Sequence, residues 1–203
     1  MGKTFKLRHS LTYLELTLMA TSTSPMSLAS VDDRRSLSAL LEGEILTDTR
    51  PHTAWGAAVT ARMYLPIAQS VVWERAIDYP RWVEYIPALI HSQVLNATEA
   101  QGLSRCKRIY QVASKNFILF SATAEIYLTV VETQPQRIQF RLESGDFKDF
   151  AADLSLQKWG NGTLLTYDVQ ATPALPFPSV LLQQGIQLDF PANLRSLRQA
   201  LCR

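Results

Sequence analysis

Between Ala124 and Ala171 apolar and polar residues alternate in four successive runs. Ala124, Ile126, Leu128 and Val130 alternate with Glu125, Tyr127 and Thr129. Ile138, Phe140 and Leu142 alternate with Gln139, Arg141 and Glu143. Phe150, Ala152, Leu154 and Leu156 are set against Asp153, Ser155 and Gln157, and Leu165, Tyr167, Val169 and Ala171 against Thr166, Asp168 and Gln170. Successive side chains of a strand point to opposite faces, so each run predicts a strand with one buried and one wet face. Turn residues separate the runs: Gln134-Pro135-Gln136, Ser144-Gly145-Asp146 and Asn161-Gly162. The last predicts a two-residue hairpin loop whose residues take positive φ. Four such strands predict an antiparallel sheet with one side in water, and something must cover the other side.

Upstream, Asp32 or Asp33 is placed to cap a short helix to Leu41, with Gly43 ending it. A short strand over Glu44 to Thr49 and a loop around Pro51 follow. Ala58 to Leu65 is a further alternating strand, with Val59, Ala61, Met63 and Leu65 on one side. Pro66 suits the first turn of a helix carrying Ala68, Val72 and Ala76 on one stripe. A second short helix, capped by Asp78, ends before Pro87. His91 to Ala97 and Leu103 to Ala113 read as strands around Gly102. In the second of these, either Arg108 and Tyr110 or Lys107 and Ile109 face inward, and the pattern leaves both registers open. From Pro178 to Arg203, Leu182, Ile186, Phe190, Leu194, Leu197 and Leu201 recur at helical spacing, with a bend expected at Gly185 and Pro191. The predicted class is therefore α+β: a curved antiparallel sheet around a long C-terminal helix, with two short helices closing one end.

Whole-chain quantities exclude more than they assign. The 203 residues, 47% hydrophobic, suffice for one generous domain, placed over residues 32–203. A net charge of +2 with scattered Lys and Arg gives no case for nucleic acid. Cys106 and Cys202 are far apart and form no CxxC pair, so neither a zinc site nor a disulfide framework is expected. No stretch reaches the ~20 apolar residues of a membrane-spanning helix. Residues 1–31, rich in Ser and Thr and nearly free of acid, read as a flexible extension or a targeting segment. The compartment expected is cytoplasmic, or a plastid if that segment is a transit peptide. Asn96-Ala97-Thr98 and Asn161-Gly162-Thr163 fit the glycosylation pattern but read as turn chemistry.

Several strings, in order, carry a family resemblance: Val72-Trp73, Asp78-Tyr79, Ile86-Pro87, Gly145-Asp146-Phe147-Lys148, Gly162-Thr163-Leu164-Leu165-Thr166-Tyr167 and Leu194-Arg195-Ser196-Leu197. From about Glu42 onward the chain resembles the START-like (SRPBCC) superfamily with the helix-grip fold. It is most similar to polyketide cyclase/dehydrase and coenzyme Q-binding START-domain proteins. The resemblance implies an elongated hydrophobic tunnel between sheet and terminal helix, used by some members for catalysis and by many only to carry a ligand.

Catalytic motifs do not add to this. GxGxxG, P-loop, GxSxG and HExxH patterns are absent, and His9, His52 and His91 are isolated from one another. No cofactor, metal or catalytic residue is expected, and no protein partner is assigned. The partner expected is a hydrophobic small molecule: a lipid, quinone, isoprenoid or pigment. Strand parity and the family's cavity position nominate Trp82, Tyr85, Ile126, Leu128, Phe140, Leu142, Phe150, Leu154, Tyr167, Val169, Leu182, Ile186, Phe190 and Leu194 as ligand-binding. Tyr167 is the main polar exception on the inward row. Residues 115–121 and 173–178 are candidate gating loops. Two alternatives stand beside the carrier: a cyclase or dehydratase using Tyr167 with Arg108, and a regulatory module with a collapsed interior.

Overall fold

The computed structural model describes residues 31–98, 102–116, 121–174 and 190–203. Eight strands form one antiparallel sheet: β1 (Ile45–Thr53), β2 (Gly56–Leu65), β3 (Leu89–Ala97), β4 (Ser104–Asn116), β5 (Ser121–Thr133), β6 (Arg137–Gly145), β7 (Phe147–Trp159) and β8 (Gly162–Pro173). Their order is β1-β2-β8-β7-β6-β5-β4-β3, so β2 pairs with β8 and the chain crosses to the far edge to begin β3. The helices α1 (Val31–Leu41), α2 (Gln69–Ala76), α3 (Trp82–Tyr85) and α4 (Phe190–Cys202) complete the fold, with a 3-10 turn at Tyr79–Arg81. This is the α+β helix-grip architecture that the alternation predicts.

The inward rows meet the helices in one core. Ala61, Met63 and Leu65 of β2, Leu165 of β8, Ala152, Leu154 and Leu156 of β7, and Ile138 and Phe140 of β6 are buried. So are Ile126, Leu128 and Val130 of β5 and Ile109 of β4. Against them lie Val72, Trp73 and Ala76 of α2, Trp82 and Tyr85 of α3, and Leu194, Leu197 and Leu201 of α4. Tyr79, Trp82 and Phe140 pack ring to ring at 5.5–6.1 Å between centroids, and the Trp82 indole N–H donates to the Ala76 carbonyl at 3.0 Å. Such a bonded indole lets an aromatic plug fill the core without an orphaned donor.

Local details depart from expectation. β1 runs through Pro51 to Thr53, with an irregularity between Pro51 and Thr53; as an edge strand it tolerates the missing N–H. Pro66 lies ahead of α2, whose N-cap is Ala68 without a side-chain bond, and Asp78 likewise makes no capping bond. α1 begins at Val31, ahead of the expected Asp cap, while Gly43 at φ 95° ends it as predicted. In the β7–β8 hairpin Trp159 pairs with Gly162, so the loop is Gly160-Asn161, one residue earlier than the Asn-Gly signal suggested. In this loop positive φ (56°) falls on Gly160 and not on Asn161, the pattern of a loop that needs glycine only at its first position. Pro191 sits in the first turn of α4, where proline is tolerated, and residues 175–189, with the Gly185 bend, lie outside the described residues. Of the two glycosylation-like sites read as turn chemistry, Asn161 lies in the hairpin loop but Asn96 lies in β3; Thr98 Oγ1 donates to the Cys106 carbonyl, and the fully buried Thr163 donates to the Ile67 carbonyl at 2.8 Å.

Candidate functional site

The inner face of the sheet is filled unevenly. Each strand row passes from packed core into open space: on β2 from Leu65, Met63 and Ala61 to Val59 and Ala57, and on β8 from Leu165 to Tyr167, Val169, Ala171 and Pro173. On β7 the row passes from Leu156, Leu154 and Ala152 to Phe150 and Phe147. α2 packs against β7 and β8 over the first half of these rows. Over the second half lies a cavity of about 450 Å³, roofed by Phe190, Asn193, Leu194 and Leu197 of α4 and closed at one side by Ile86. That volume lies within the range of ~300–1,000 Å³ typical of small-molecule pockets.

The cavity's described lining has two polar side chains, Tyr167 and Asn193. The Tyr167 ring stacks nearly parallel (11°) on Phe190, with centroids 6.3 Å apart. Burial pushes its hydroxyl up to about 12, so it remains a protonated donor throughout the neutral range. No other lining residue among those described titrates. No cluster of three or more His, Cys, Asp or Glu fit for a metal occurs among the described residues.

The ambiguous register of β4 resolves to Lys107 and Ile109 inward. Lys107 bonds Glu132 Oε1 at 2.7 Å, Tyr79 donates to the same oxygen at 2.7 Å, and the ammonium lies 5.0 Å from the Tyr79 ring centroid. This triad is closed on itself beneath the 3-10 turn and is not part of the cavity lining. Burial, with Glu132 adding to it, holds the Tyr79 hydroxyl well above its ordinary range. Arg108 faces the opposite way, bonded to Glu143 and laid over Tyr127 on the outer face. There Thr129 and Arg108 hold the Glu143 carboxyl below its usual range. Burial opposes the same effect at Asp153, but hydrogen bonds from Arg137 and Gln139 and the nearby Arg141 outweigh it. The outer face is thus a laced polar surface. His91 is exposed there, with its ring against Tyr110, while His52 bonds Asp149 at 2.8 Å.

Of the residues nominated from the sequence, Phe150, Tyr167, Val169, Phe190 and Leu194 come together around the cavity. Trp82, Tyr85, Ile126, Leu128, Phe140 and Leu154 sit in the packed core, with Leu142 packed against it. Leu182 and Ile186 lie outside the described residues, as do 117–120 and 175–178 of the two expected gating loops. Parity alone does not separate these groups, because core and cavity share the same rows. Val59, Ala171 and Leu197 were legible as inward positions, yet nothing marked them as cavity rather than core. Asn193 carried no signal: it is a lone amide beside an apolar stripe.

The family model described as polyketide cyclase/dehydrase and lipid transport matches residues 65–198, about two thirds of the chain. The chain belongs to this family. Membership of the polyketide cyclase/dehydrase and lipid-transport family supports, at that coarse level, the binding of a hydrophobic molecule. Solved structures agree on the START-like fold. The STAR-related lipid transfer protein of Xanthomonas axonopodis superposes with a TM-score of 0.61 at 19% identity, covering 78% of this chain and 94% of that one. The protein TTHA0849 of Thermus thermophilus gives 0.56 at 21% identity, covering 71% and 93%. Human STARD10 gives 0.55 at 12%, covering 84% and 79%. At these identities the likeness is one of fold. No curated protein matches the chain. No described helix is long and apolar enough to cross a membrane.

Proposed function

We propose that the protein binds and carries a hydrophobic small molecule, a lipid, quinone, isoprenoid or pigment, in the cavity between β2, β7, β8 and α4. The observation that carries this reading is the lining itself: about 450 Å³ walled by aliphatic and aromatic side chains, with only Tyr167 and Asn193 polar among the described residues. Removing ~300 Å² of a ligand's apolar surface from water favours binding by ~7 kcal/mol before the entropic cost of association is subtracted. The family's description includes lipid transport, and the lipid transfer protein of Xanthomonas shares the fold.

A cyclase or dehydratase would need a second group able to move a proton beside Tyr167. Among the described residues none supplies it: Arg108 lies on the other face of the sheet, and the amide of Asn193 neither gives nor takes a proton at neutral pH. A module with a collapsed interior is disfavoured by the cavity's volume. The carrier reading is tested by fluorescence titration with Nile red, an uncharged apolar dye. Saturable binding is expected, and Val169→Trp, which fills the cavity, should weaken it at least ~tenfold while the far-UV spectrum stays unchanged. Equal binding by the variant would place the dye elsewhere and overturn the reading.

A further inference from the structure

An apolar chamber selects its ligand chiefly by what charge it can neutralise. An isolated carboxylate moved into an apolar site without a partner is so costly that it protonates or stays out. No described lining residue of this cavity is cationic. The cations nearest to lining residues in sequence are otherwise occupied. Lys148, next to Phe147, lies 4.4 Å from the centroid of the Trp55 ring, and Arg198, next to Leu197, donates to the Tyr64 carbonyl at 3.3 Å. Arg195, beside Leu194, is exposed. What the cavity does offer is hydrogen-bond donors. The Tyr167 hydroxyl and the Asn193 amide make no hydrogen bond to a described residue, and both side chains line the space. The desolvated tyrosine keeps its proton well past neutral pH.

We propose that this cavity is specific for an uncharged hydrophobe bearing a hydrogen-bond acceptor such as a ketone or quinone carbonyl, which Tyr167 engages as donor, and that it rejects the anionic form of a fatty acid. The inference rests on the carrier reading above and narrows it to one ligand chemistry. Tyr167 acts here as a specificity determinant: it supplies a donor, and the apolar wall around it supplies the discrimination against charge.

The test uses the full chain and three competitors of equal carbon count, 2-hexadecanone, 1-hexadecene and hexadecanoic acid, displacing Nile red at pH ~8, where a free carboxylate is ionised. The ketone is expected to bind most tightly, with the alkene about two- to tenfold weaker, the worth of one neutral hydrogen bond. The acid should fall at least ~tenfold below the ketone because its charge finds no partner. Tyr167→Phe, which preserves the ring and its stacking on Phe190, should bring the ketone down to the alkene and leave the alkene unchanged. Equal affinity for all three, or an acid that binds best, overturns the proposal while leaving the carrier reading intact. A ketone preference that survives Tyr167→Phe overturns the role given to Tyr167. Failure of every competitor, together with absence of saturable dye binding, would instead remove the carrier reading itself.

Discussion

At the scale of single residues, the most consequential side chain outside the cavity is Glu132. Its side chain is 4% exposed and that of Lys107 11%, and the carboxylate receives both the ammonium and the Tyr79 hydroxyl. A pair desolvated to this degree owes its presence to mutual satisfaction, since removing one partner leaves the other charge buried alone. Glu132→Ala is expected to cost ~3–5 kcal/mol, read as a fall in the urea midpoint. Lys107→Met combined with Glu132→Leu should recover part of that loss, because no charge is then left uncompensated, although the buried Tyr79 hydroxyl loses its acceptor. A double variant as unstable as the single one would show that the triad contributes more than its own neutralisation. Neither partner was readable as buried from sequence. Glu132 lies past the alternating run that ends at Val130, and Lys107 belongs to the strand whose register the pattern left open.

Among the elements, the strands were the most legible part of the chain. Period-two alternation located β5 to β8, though the strands run up to three residues past the alternating positions, and Ser144 and Gly145, expected in a turn, belong to β6 and pair with β5. Hairpin chemistry was less legible, since Asn161-Gly162 announced a loop that Gly160-Asn161 forms. The glycines differ in what they demand. Gly145 has φ 134°, and a Cβ there would run into the Glu125 carbonyl and lie 2.9 Å from the Ile126 Cα, whereas Gly160 has φ 56° with open space around it. Gly160→Ala should therefore cost only the left-handed backbone penalty, ~1–2 kcal/mol. Gly145→Ala should cost more, because backbone must also move. Thermal melting of the two variants checks the order; equal losses would mean that β5 and β6 yield freely at that point. The Asp78 side chain is not needed as a cap because its neighbours satisfy the turn without it: Arg81 N–H bonds the Asp78 carbonyl rather than its side chain.

For the whole molecule, the sequence carried the architecture but not the division of its interior. An alternating row states that a face is covered; it does not state by what. Here α2, the 3-10 turn and α3 bring Trp73, Tyr79, Trp82 and Tyr85 into one core with Leu194, Leu197 and Leu201 of α4, while Phe190 to Leu197 of α4 leave a gap against β2, β7 and β8. That asymmetry is why Ile126, Leu128 and Phe140, inward by parity, are packed core, while Val59 and Ala171, equally inward, line the cavity. The difference is set by contacts between segments separated by about a hundred residues, as when Ala57 pairs with Ala171, and local pattern does not encode it.

Whether the cavity holds a ligand is decided most directly by mass spectrometry of small molecules extracted from the natively purified protein, beside Val169→Trp and a mock preparation. A hydrophobic, uncharged molecule, close to one per chain, is expected in the wild-type protein, and its loss is expected from the filled variant. An extract no different from the mock, or the same molecule retained by Val169→Trp, would contradict a cavity built to hold a ligand.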